Sequence, residues 1–88
     1  MLNTNVFSGI DLQVLTDFSS DIDLVALGPT AKAPRQVIVL AAGGGVLSVT
    51  TAHGARTLPA DLLVGLPITC GILTIGSATD AGSVLVIW

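Results

Sequence analysis

The chain has 88 residues, room for one domain and one core. It is 51% hydrophobic and only 10% charged, against roughly a quarter charged in an ordinary soluble domain. A formal charge of −3, with four of the six acids at Asp11, Asp17, Asp21 and Asp23 and only Lys32, Arg35 and Arg56 as cations, excludes the basic footprint of a nucleic-acid binder. So much aliphatic surface on so short a chain calls for burial against other copies, another protein or lipid.

Residues 1–16, "MLNTNVFSGIDLQVLT", read as an extended arm or edge strand that packs only in context, and residues 17–88 as the β-domain. Asn3, Thr4 and Asn5 interrupt any apolar start and no basic segment precedes them, so no secretory signal is expected. "IDLVAL" (22–27) fits a short strand. "GPTAKAP" (28–34) is a loop, because each proline restricts the residue before it.

The stretch "RQVIVLAAGGGVLSVTTAHGART" (35–57) contains twenty residues between Arg35 and Arg56 without a formal charge. That length suits a transmembrane helix, but three adjacent glycines at its centre each cost roughly 1 kcal/mol in a helix. The second charge-free run, between Asp61 and Asp80, is broken by Gly65, Pro67, Gly71 and Gly76. No membrane partner is expected. A phosphate loop also fails: "VLSVTT" after Gly45 has no Lys, no third glycine at the needed offset and no helix-forming character. "QVIVLA" and "VLSVTT" as two strands joined by a glycine turn give a β-hairpin. In the second strand Leu47 and Val49 alternate with Ser48 and Thr50, a half-buried pattern. The first is apolar on both faces, as a central or interface strand would be.

Beyond the hairpin, "AHGAR" reads as a turn and "TLPADLLVGLP" as a proline-punctuated loop, in which residues 60–65 are kept as loop with a single helical turn as the alternative. "ITCGILTIG" reads as a strand, "SATDAG" as a turn and "SVLVIW" as a final strand. The fold class is all-β, a small antiparallel sandwich or barrel. Trp88 is expected to lock the last strand, its indole in the core or in a subunit interface.

Reactive groups are few. There is one His, one Cys, no Glu and no Tyr, too few ligands for a zinc site, and no cofactor motif. His53 beside Gly54 reads as a solvated turn residue, Cys70 as a small buried hydrophobe, and Asp80 as a turn residue. Asp17, Asp21 and Asp23 raise calcium but lack EF-hand spacing; solvated acids around a turn are the simpler expectation. Arg35 and Arg56 mark where buried strands meet water, or pair with aspartates of the same or a neighbouring subunit. No enzymatic activity is expected. Interface residues are expected among Phe7, Val37, Val39, Leu85, Ile87 and Trp88.

The order of features carries a resemblance. "D-x-D-L" (Asp21 to Leu24) precedes Pro34-Arg35, then the glycine-rich stretch, "TLP…L-x-x-G-x-P" (Thr57 to Pro67) and a terminal "G-x-x-x-x-x-G-x-x-L-x-I-W". This resembles short virion proteins of tailed phages and gene transfer agents, of the spike-base or capsid-vertex type. Those proteins often carry a "TGTTATG"-like run before the last strand, where this chain has "IGSATDAG", which leaves decoration or another capsid role open. The resemblance implies a β-domain that assembles as a homo-oligomer on a virion, in contact with the major capsid protein or another virion component, built in the host cytoplasm. It implies no catalytic or ligand residues. The alternative is a non-enzymatic cytoplasmic module that recognises a partner through a sheet edge.

Overall fold

The computed structural model describes residues 11–29 and 31–88. Its elements in chain order are β1 (Leu12–Leu15), β2 (Ile22–Asp23), α1 (Leu24–Leu27), β3 (Gln36–Ala41), β4 (Val46–Thr51), β5 (Gly54–Pro59), α2 (Ala60–Leu63), β6 (Pro67–Ile68), β7 (Thr74–Ile75) and β8 (Ser83–Ile87). They form two four-stranded antiparallel sheets packed as a sandwich, ordered β1-β8-β3-β6 and β2-β7-β4-β5. The all-β expectation therefore holds, in its sandwich form. No helix among the described residues is long and apolar enough to cross a membrane.

Period-two alternation fills the space between the sheets. Val37 and Val39 of β3 and Val84 and Val86 of β8 point inward from the first sheet, meeting Leu47 and Val49 of β4 and Ile75 of β7 from the second. All are at most 2% exposed. Fully burying one such side chain contributes about 1.5–3 kcal/mol, so these pairs dominate the stability. On the opposite pleat of β8, Leu85 and Ile87 are also buried but stand outside this core cluster.

The glycine stretch is not a hairpin. Strand β3 pairs with β8 on one side and β6 on the other, which leaves no free edge for β4. The chain instead arches from the first sheet to the second through Ala42–Gly45. Asp80 clamps this arch. Its carbonyl accepts the Gly44 N–H at 2.8 Å, its N–H donates to the Val46 carbonyl at 3.0 Å, and its carboxylate accepts the Val46 N–H at 2.7 Å. Gly43 has a left-handed φ of 56°, and a Cβ there would overlap the Asp80 carbonyl. The true hairpin is β4–β5, in register from Val46↔Pro59 to Thr51↔Gly54, with Ala52 and His53 at its tip.

Other departures have local causes. Residues 22–27 are strand only at Ile22–Asp23, because the Asp23 carboxylate accepts the N–H groups of Val25 at 3.0 Å and Ala26 at 3.2 Å and caps the single turn α1. Residues 60–63, expected as loop, form the helical turn α2 after Pro59, with Ala60 fully buried and its N–H on the Gly45 carbonyl at 2.9 Å. The "ITCGILTIG" strand shrinks to Ile68 at its start and Thr74–Ile75 near its end, since Gly71 between them has a φ of 75°. The turn expected at "AHGAR" narrows to Ala52 and His53, and Gly54–Pro59, expected as turn and loop, form β5 by pairing with β4. Residues 12–15 are the edge strand of the first sheet, paired with β8 from Leu12↔Ile87 to Leu15↔Val84.

Trp88 joins the two layers. It follows β8 in the first sheet, and its indole N–H donates to the carbonyl of Leu24, at the head of α1 beside the second sheet, at 3.0 Å in a buried bond. Gly28 ends α1 where any Cβ would overlap the indole.

Two comparisons test these supports by urea denaturation followed by circular dichroism. Gly65 also has a left-handed φ of 78°, but nothing lies within 4 Å of a Cβ there. Gly65→Ala should cost about 1–2 kcal/mol from backbone strain alone, and Gly43→Ala about 3 kcal/mol or more; equal losses would show that the Asp80 clamp is not formed. Second, Trp88→Phe should cost about 1–3 kcal/mol, by removing the donor to a buried carbonyl, and Trp88→Ala about 3–5 kcal/mol. A Phe variant as stable as the parent would deny the indole hydrogen bond any role.

Candidate functional site

Four of the six aspartates, Asp17, Asp21, Asp23 and Asp80, accept backbone N–H groups through their carboxylates. Asp17 accepts the Ser19 N–H at 3.0 Å, and this bond, with help from the Ser19 hydroxyl, holds its carboxyl below the usual aspartate value. Stability from that bond is present above the ordinary aspartate range and fades as pH falls through the lowered value; the group is fully exposed, so the contribution is small. Asp21 accepts the Ser77 N–H at 2.7 Å, tying the β1–β2 connection to the turn after β7. Asp23 caps α1 and Asp80 clamps the arch. Among the described residues no three His, Cys, Asp or Glu side chains are grouped to hold a metal ion.

Thr79, the buried polar residue of this turn, acts as a strand partner. Its hydroxyl accepts from the Ser48 N–H at 2.9 Å and donates to the Ser48 carbonyl at 3.1 Å. With the Gly76 N–H on the same carbonyl at 2.8 Å, this continues the β4 ladder past the end of β7. "SATDAG" is therefore a built element, although its composition reads only as a turn.

An open groove of about 460 Å³ lies at the β4–β5 tip, lined by Thr51, Ala52, His53, Arg56, Cys70 and Gly71. It gathers the imidazole, the thiol and a guanidinium in one place, which their spacing in the chain does not suggest. Nucleophilic catalysis needs a base in hydrogen-bond reach of the nucleophile and a third group orienting that base. The bonds found here serve the hairpin instead. Arg56 donates to the carbonyls of Ala55 at 2.8 Å and His53 at 3.4 Å, and the Thr51 hydroxyl accepts the His53 N–H at 3.2 Å. His53 is an exposed tip residue, as expected. Cys70 is exposed rather than buried, because the Gly71 turn takes its segment out of the sheet.

The residues expected at an interface are placed differently. Val37, Val39 and Trp88 belong to the chain's own core, and Leu85 and Ile87 are buried on the other pleat of β8. They leave almost no surface for a partner in the chain as folded. Phe7 lies outside the described residues. Among the described residues, the large aliphatic side chains that do face solvent are Leu12, Val14, Leu27, Leu40, Leu62, Val64 and Leu66.

Five of these fall into two groups, with Leu27 on α1 and Leu62 on α2 apart. Leu12 and Val14 lie on the edge strand β1, opposite Ile87 and Leu85 and hence on the pleat away from the core. Leu40 sits in the bulge that shifts the β3–β8 register between Val39 and Ala41. Beside it, Val64 bridges to Val39, and the Gly65 N–H donates to the Val39 carbonyl at 2.9 Å. Leu66 then leads into β6, the strand at the far edge. Among the described residues, no exposed large aliphatic side chain falls in a strand of the second sheet. Its long edge strand β5 presents Ala55, Arg56 and Thr57 instead.

Comparisons with protein-family models, with curated protein sequences and with solved structures yield no match for this chain.

The exposure of Cys70 predicts complete labelling by iodoacetamide in native buffer, with an unchanged circular-dichroism spectrum. Labelling that requires denaturant, read by intact mass, would return Cys70 to the core.

Proposed function

We propose that the protein is a non-enzymatic structural component of a virion. It is a β-sandwich building block that self-associates and attaches to the capsid as a spike base, vertex or decoration element. The observation that carries this assignment is the concentration of exposed aliphatic side chains on one sheet, Leu12 and Val14 at one edge and Leu40, Val64 and Leu66 toward the other. A chain that keeps so much aliphatic surface in water after closing a complete core is suited to permanent assembly. The order of motifs from Asp21 to Trp88, which resembles small virion proteins, supplies the class of assembly. The partners are further copies of the chain and the major capsid protein or another virion component, with no cofactor, nucleic acid or membrane in the assignment. The virion is its location, after assembly in the host cytoplasm.

A cytoplasmic binding module is the second assignment, favoured by one feature. Strand β5 is six residues long and lies at the end of its sheet, a surface to which a partner strand can add. Arg56 and Pro59 on that strand oppose it, since charge and proline are the usual guards of a free edge.

Quantitative peptide mass spectrometry of particles purified from cells encoding the chain tests the proposal. The expected result is a constant ratio of this chain to the major capsid protein across the particle peak of a density gradient. Absence of the chain from the particles would overturn the virion assignment.

A further inference from the structure

We draw no further inference here: the strongest candidate, the exposed aliphatic surface of the first sheet, with Leu12 and Val14 on the β1 edge and Leu40, Val64 and Leu66 toward the β6 edge, carries nothing because nothing in the structure shows what covers it.

Discussion

The fold depends on one change of direction, where the chain leaves the first sheet after Ala41 and enters the second at Val46. A hairpin there would have placed β3 and β4 side by side and exposed a face of each. The arch places them across the core, so that Val37 and Val39 face Leu47 and Val49 through the interior. An arch exposes backbone polar groups that a hairpin ladder would have paired, and each unpaired buried group costs free energy. Here the segment Asp80–Gly82 meets that need, with Asp80 bonded to Gly44 and Val46 and the Gly82 N–H on the Ala41 carbonyl at 2.8 Å. The Ala60 N–H satisfies the Gly45 carbonyl. Gly43 lacks a side chain because the clamp occupies the space a Cβ would need.

The same economy engages several of the chain's few charged groups. Asp17, Asp21, Asp23 and Asp80 each accept a backbone N–H, and Arg56 donates to two turn carbonyls. In a domain with little regular helix and many short strands, side chains stand in for missing ladder partners, as Thr79 does beside Ser48. Much of the charge serves the fold, and the surface keeps several large aliphatic side chains. Much of that surface sits on the first sheet, whose strand β8 is buried on both faces.

Much of this was legible in the residues, strand by strand. Alternation in β4, the unbroken apolar run of β8 and the glycine and proline punctuation identify an all-β domain with a buried terminal Trp88. Three features were not legible. The glycine turn could not be told from an arch, because hairpin and arch need the same β-branched flanks and the same positive φ. Leu24–Leu27 could not be told from strand, because the Asp23 cap acts only when the following turn docks Leu24 into the core. Core could not be told from interface: Val37, Val39 and Trp88 look like interface residues in a list of hydrophobics, while the exposed Val64 and Leu66 look like loop.

The sequence by itself determined the class of the fold, the absence of a cofactor motif, and an aliphatic surplus too large for one small core. These follow from composition and local periodicity, which each segment carries with it. Tertiary structure alone decided which aliphatic side chains close the core and which remain outside. That choice is made by pairing between distant segments: β8 takes the place beside β3 that β4 would need, and Asp80 reaches back to hold the arch this forces.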